Sequence, residues 1–310
     1  MRLVTFRKGS SRPRVGALAA DAILDLGALA ADLARERNTV RKGRGGFPKT
    51  MHDLIAGGPD VLAEAREALA HGEALLKRDG IAALTERRLG VAADKARLEA
   101  PIPRPARNVF CLGRNYKEHA AERGAEAPPH PVYFTKCPET VVAPGAKVIH
   151  HAVTKELDYE VELAVVIGTA GKDIPREQAL SHVFGYTIVN DVTARDLQKK
   201  DGQFARAKSF DTFCPIGPAI VSGFDPSDLA IETRVNGEVR QSSRTSSMVF
   251  SPAFLLAYVS RMMTLLPGDL ILTGTPAGVG SLSPGDRVEV EIERIGVLVS
   301  GVVAEDRRAV

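Results

Sequence analysis

The chain has 310 residues, 44% of them apolar, enough to bury a core in one large domain or two ordinary ones and too many for a disordered chain. Charged residues make up 25% and the net charge is only +3, so neither nucleic acid nor an anionic membrane is demanded as partner. Cys111, Cys137 and Cys214 are odd in number and far apart, with no CxxC spacing, which argues against a disulfide framework or a thiolate zinc site and for a reducing cytoplasm. The N-terminal MRLVTFRKGSSRPR lacks the apolar core of a signal peptide, and no stretch approaches the roughly 20 apolar residues of a membrane helix, so a soluble protein is expected.

In chain order, LVTF, RVGALAA and AILDL read as short strands. The GRGG of Gly43 to Gly46, flanked by Arg41, Lys42 and Lys49, lacks GK[ST] and a preceding strand and reads as a basic loop rather than a phosphate loop. From Pro59 to Lys77, Leu62, Ala65, Leu69, Leu75 and Leu76 recur at helical spacing. Residues 1–100 are therefore expected to form a small α+β domain. In PIPRPARN, residues 101–108, a proline at every second position forbids a helix and predicts an extended linker or edge strand before a second domain, 101–310. Beyond it, VELAVVIG, FGYTIVND, AIVSG, ETRVNG, DLILTG and RVEVEI read as strands, interrupted by one helix near Pro252 to Leu266. The alternation in RVEVEIERIGVLVSGVV predicts a half-exposed antiparallel ribbon. No internal repeat or low-complexity segment is present.

In LDYEVELAVVIG, Asp158, Glu160 and Glu162 alternate with Leu157, Tyr159, Val161 and Leu163, which puts three carboxylates on one strand face. Neighbours on such a face lie about 7 Å apart and repel by roughly 2 kcal/mol at an effective dielectric near 20, a cost that a bound cation reverses. Oxygen-only ligands favour Mg²⁺, Mn²⁺ or Ca²⁺ over zinc. A solvated face neutralised by lysines is the alternative. Asp191, Arg195 and Gln198 in NDVTARDLQ stand at i, i+4 and i+7 and share a stripe if the segment is helical, with Asp191 a third ligand or merely half of a surface pair. His119 and Glu122 in GRNYKEHAAE are three apart, so on one helical turn the carboxylate can fix the imidazole tautomer and prepare a general base. His150 and His151 point to opposite faces of a strand and cannot share an ion. Lys208, among Phe204, Phe210 and Phe213, either reaches solvent or answers a buried anion. GTPAGVG, Gly274 to Gly280, has the glycine content to bring backbone N–H groups close to a carboxylate or phosphate.

Taken together, GRNYKEHAAE, PVYFTKCPET, LDYEVELAVVIG, NDVTARDLQ, AKSFDTFCPIGP, NGEVRQ and GDLILTGTPAGVG resemble the fumarylacetoacetate hydrolase superfamily, in that family's order, over about residues 105 to 303. The resemblance implies a mixed β-roll catalytic domain behind a smaller N-terminal α+β domain, a homodimer, and Mg²⁺ or Mn²⁺ with no organic cofactor. It carries the metal carboxylates onto Glu160, Glu162 and Asp191, the His-Glu dyad onto His119 and Glu122, and substrate-side groups onto Lys208, Thr275, Arg195 and Gln198, with Gly274 in the adjoining glycine segment. The implied substrate is a small oxo-carboxylate. The first expectation is hydrolysis of a C–C bond in an acylpyruvate or fumarylpyruvate-like diketo acid, with His119 activating water and Lys208 offsetting oxyanion charge. The alternatives are decarboxylation or isomerisation of an unsaturated oxo-dioate, or decarboxylation of oxaloacetate, at the same site, and, more remotely, a non-catalytic metal-binding protein. Residues 116–130, rich in Ala, Glu and Pro, suggest a lid.

Overall fold

The computed structural model describes residues 1–38, 46–122, 124, 126 and 128–306. Most of the GRGG loop and three positions of the expected lid lie outside the described residues. The architecture is the expected mixture of helices with two principal sheets. The larger runs, strand beside strand, through Gly90–Ala92, Ala22–Asp25, Arg14–Ala19, Arg2–Arg7, Cys214–Val221, Val183–Asn190, Val161–Ile167, Leu270–Leu272, Val109–Gly113 and Val132–Lys136. All of these pairings are antiparallel except that of Leu270–Leu272 with Val109–Gly113. The smaller sheet contains Glu238–Arg244, Ala230–Val235, Arg287–Ile292, Gly296–Ala304 and Lys147–His150. Its third and fourth strands are the ribbon expected from the charge alternation.

Both faces of the larger sheet are covered, and the central strand shows why its sequence runs apolar without interruption. Val161, Leu163, Val165 and Ile167 belong to one core, shared with the smaller sheet. Ala164 and Val166 belong to a second core, shared with Leu26, Leu29, Leu54, Leu69 and Leu75 of the N-terminal helices. A strand buried on both sides loses the polar alternation of a half-exposed one. Glu162 has the parity of Ala164 and Val166 and lies where this strand leaves the second core.

The N-terminal helices span Leu26–Glu36, Met51–Ala56 and Gly58–Glu86. The sequence expectation covers only Leu26 of the first, as the last residue of the strand AILDL. The strand stops at Asp25, whose carboxylate accepts the Ala28 N–H at 2.9 Å and so caps the helix N-terminus. The long helix runs past Lys77 but is interrupted at Gly80, where φ is 75°. It packs tightly on the first helix at Gly72, where a Cβ would stand 2.5 Å from Leu29 Cδ1. The proline-rich segment 101–108 has no strand, yet it does not separate two sheets: Arg2–Arg7 pairs with Cys214–Val221 on one side of it in sequence and with Arg97–Glu99 on the other. Thr5 Oγ1 donates to the Pro101 carbonyl at 2.7 Å and pins the crossing. Among the described residues no helix is long and apolar enough to cross a membrane.

Candidate active site

Three strand ends meet beside the central strand. The register Val161 to Asn190 brings Glu160 beside Asp191, and two bonds lock it: Asp191 N–H donates to the Glu160 carbonyl at 2.8 Å, and Glu160 N–H donates to Asn190 Oδ1 at 2.9 Å. One carboxylate oxygen from each of Glu160, Glu162 and Asp191 lies within 4.8 Å of the others, and all three residues are buried. Asp191 reaches this point from the end of a strand, not from a helix. The helix begins only at Arg195 and runs to Asp201, so the expected single stripe does not exist; Arg195 and Gln198 share the helix, bonded to each other at 2.5 Å. The acidic face is also broken, because Leu157–Asp158 pairs separately with Thr193–Ala194. Asp158 accepts from Arg195 Nε at 2.8 Å instead of joining the trio.

Four buried carboxylates, Asp158, Glu160, Glu162 and Asp191, thus face three buried cations. Arg195 binds Asp158 and Glu160; Lys208 Nζ donates to Glu160 at 2.8 Å and Asp191 at 2.5 Å; Lys136 Nζ donates to Asp191 at 2.6 Å and to the Val192 carbonyl at 3.0 Å. Glu162 accepts the Gly274 N–H at 2.6 Å and meets none of these cations in an ion pair. Burial, then the charges of Asp191 and Glu160, push its carboxyl well above the ordinary value. Burial would raise Glu160 too, but Lys208, Arg195 and His119 outweigh it and hold that carboxyl well below. Burial would likewise lower Lys208, and Asp191 and Glu160 reverse it. The trio is an all-oxygen cluster, which fits a hard divalent cation with Glu160, Glu162 and Asp191 as holders, and such a cation would favour the ionised form of Glu162 that burial opposes.

His119 and Glu122 sit on the short helix Lys117–Glu122, with Nδ1 3.5 Å from Glu122 Oε2. The glycine segment does bring backbone N–H groups to carboxylates, but the carboxylates are the protein's own. Gly274 N–H goes to Glu162, and Gly278 N–H goes to Glu122 at 3.1 and 3.3 Å. Gly278 has φ 95°, and a Cβ there would stand 2.0 Å from the Arg240 carbonyl oxygen, so no other residue fits.

A cavity of about 340 Å³ opens over the trio. His119, Glu160, Glu162, Arg195, Lys208, Gln198 and Thr275 line it, with Phe134 and Phe204 as an apolar wall. Asp191, Glu122 and Gly274 are not part of this lining. Two buried residues that carry no role in the sequence reading complete the site. Lys136 ends the strand Val132–Lys136, and Gln241 in NGEVRQ bonds Thr275. Like Lys208, Lys136 is a lysine within an apolar segment, which is the mark it leaves in the sequence.

Comparison with known proteins agrees with this geometry. Residues 108–303 match the family described as "Fumarylacetoacetate (FAA) hydrolase C-terminal". "Oxaloacetate tautomerase YisK" of Bacillus subtilis is 46% identical over 265 residues, 81% of this chain and 86% of its own. A Mycobacterium marinum structure titled 2-hydroxyhepta-2,4-diene-1,7-dioate isomerase is 33% identical, with TM-score 0.72 over 99% of this chain and 100% of its own. A fumarylacetoacetate hydrolase from Exiguobacterium antarcticum is 38% identical, with TM-score 0.76 over 98% of this chain and 100% of its own. Matched by its family over most of its length and by full-length relatives at these identities, the chain belongs to the fumarylacetoacetate hydrolase family.

Proposed function

We propose that this protein is a divalent-metal enzyme that interconverts the keto and enol forms of a small 2-oxo dicarboxylate, with oxaloacetate the first substrate to test. The observation that carries this reading is a buried, all-oxygen carboxylate trio beside a cavity that has His119 on its wall. The name of the Bacillus subtilis relative, similar over more than four fifths of both chains, supports the choice of substrate.

Mg²⁺ or Mn²⁺ held by Glu160, Glu162 and Asp191 would supply Lewis-acid polarisation of the 2-oxo group and its neighbouring carboxylate. The chain's own residues then handle one proton. His119 takes it from the carbon beside the carbonyl and returns it to the oxygen, so that no atom is gained or lost. Glu122, held by the Gly278 N–H, keeps the imidazole oriented. Lys208 donates two of its three N–H bonds to Glu160 and Asp191, and the third is available to an anionic substrate oxygen. Phe134 and Phe204 keep water from that wall of the cavity.

The same base can activate water, and likeness to the Exiguobacterium hydrolase supports C–C hydrolysis of an acylpyruvate as the second reading. One experiment separates them. The Mg²⁺-loaded protein is mixed with enol-oxaloacetate and, separately, with acetylpyruvate and fumarylpyruvate, with products followed by ultraviolet absorbance and mass. Loss of the enol band without mass change, abolished by chelation and by His119→Ala, is the expected result. Pyruvate plus a carboxylic acid would replace the tautomerase reading with the hydrolase one, and turnover that survives His119→Ala would remove His119 as the base.

A further inference from the structure

NGEVRQ ends on Gln241, which is fully buried yet lies outside the cavity lining. All of its hydrogen-bonding groups are engaged. Its Oε1 accepts from Val161 N–H at 3.1 Å and from Thr233 Oγ1 at 2.7 Å. Its Nε2 donates to Thr275 Oγ1 at 2.8 Å and to the Pro276 carbonyl at 2.9 Å. The orientation of the amide is forced, because the Val161 N–H can only donate and the Pro276 carbonyl can only accept. The Thr275 hydroxyl is therefore an acceptor toward Gln241 and keeps its own proton for another partner; among the described residues it has no other bond. Thr275 lines the cavity.

We propose that Gln241 is a positioning residue that fixes Thr275 as a hydrogen-bond donor into the cavity, and so sets the affinity for an anionic oxygen of the ligand. Gln241 also holds Val161, the residue between two of the carboxylates, so one amide ties the donor to the strand that carries Glu160 and Glu162. The inference rests on the oxo-carboxylate reading of the pocket and adds the group that orders its polar wall.

Gln241→Met keeps the volume and removes both donors; the bared Pro276 carbonyl then draws the Thr275 proton away from the cavity. The test is calorimetric binding of oxalate, an unreactive probe, to the Mg²⁺-loaded protein in four forms: parent, Thr275→Val, Gln241→Met and the double variant. Each single variant is expected to weaken oxalate about tenfold, roughly 1.4 kcal/mol, and the double variant to bind no more weakly than either. Where Gln241→Met does not fold, Gln241→Glu, which supplies at most one proton in place of two, carries the same cycle. Losses that add in the double variant, or a Gln241 variant that binds as the parent does, would overturn the proposal and leave Gln241 a structural residue. A parent protein that shows no Mg²⁺-dependent oxalate binding would instead overturn the reading of the pocket, and any ligand role for Gln241 with it.

Discussion

Lys136 is a side chain whose removal has a large and specific cost. Neither its Nζ nor the Asp191 carboxylate is exposed to solvent, and breaking such a pair leaves an uncompensated charge in a dry site. Lys136→Met is expected to lower stability by about 3 to 5 kcal/mol, measured by urea unfolding in the presence of chelator. A loss near 1 kcal/mol, the value for an exposed pair, would mean that Lys208 alone compensates Asp191. The cysteines differ in the same way. Burial, with Asp191 and Glu162 adding to it, pushes the Cys111 thiol well up, and burial takes Cys214 up to about 12, whereas Cys137 is exposed. Alkylation of the native protein at pH 8 should therefore modify Cys137 alone, which peptide mass mapping reads directly; labelling of Cys111 without unfolding would contradict the packing under the trio.

Elements show where sequence was informative and where it was not. Strands buried on both faces, such as Val161–Ile167, were legible because a continuous β-branched run bounded by turns has few other solutions. The helix Leu26–Glu36 was not, since AILDLGALA has apolar residues at both periods and only the Asp25 cap marks the change. Asp191 joins Glu160 from a strand end rather than from the helix that the i, i+4, i+7 spacing allows, because the turn that brings it there depends on cross-strand register, which local spacing does not encode. Lys136 and Gln241 act through contacts 55 and 34 residues away in sequence, and nothing in their own segments announces the partner. At this scale the helix pair is joined by Asp32, which binds His71 at 3.1 Å and Arg87 at 3.0 Å. Burial opposes ionisation of Asp32, but His71 and Arg87 outweigh it and hold the carboxyl below its ordinary value. A depressed folded-state value stabilises the protein above the unfolded value and loses that contribution as pH falls through the folded one. Unfolding midpoints should therefore drop below pH 3.8, and the drop should flatten in Asp32→Asn; an unchanged acid limb would show that other carboxylates govern it. Ser251, whose hydroxyl accepts the Phe254 N–H at the start of Pro252–Met262, should cost about 1 kcal/mol when changed to Ala.

On the scale of the whole molecule, the N-terminal hundred residues share a sheet and a core with the rest of the chain. Their strand Arg2–Arg7 occupies the edge of Cys214–Val221, and their helices cover Val109, Ala164, Val166, Ile216 and Leu270. Deleting residues 1–100 would bare an unpaired strand edge and one whole core face, so the truncated chain is expected to aggregate, as light scattering would register. A monodisperse truncated protein that unfolds cooperatively would show instead that the sheet divides there.

The loop from Gly274 to Gly278 grips Glu162 at one end and Glu122 at the other. One short span of backbone thereby sets the placement of a carboxylate of the trio and of the carboxylate beside His119. Variation in this loop would disturb both together, so a lineage or a laboratory seeking a new substrate has little to gain there. Three other residues of the pocket wall, Phe134, Phe204 and Arg114, lie outside that loop, and of these Phe134 and Phe204 meet edge-on at 5.1 Å with Lys208 over Phe134, so the two rings would have to change together while Arg114 could change alone.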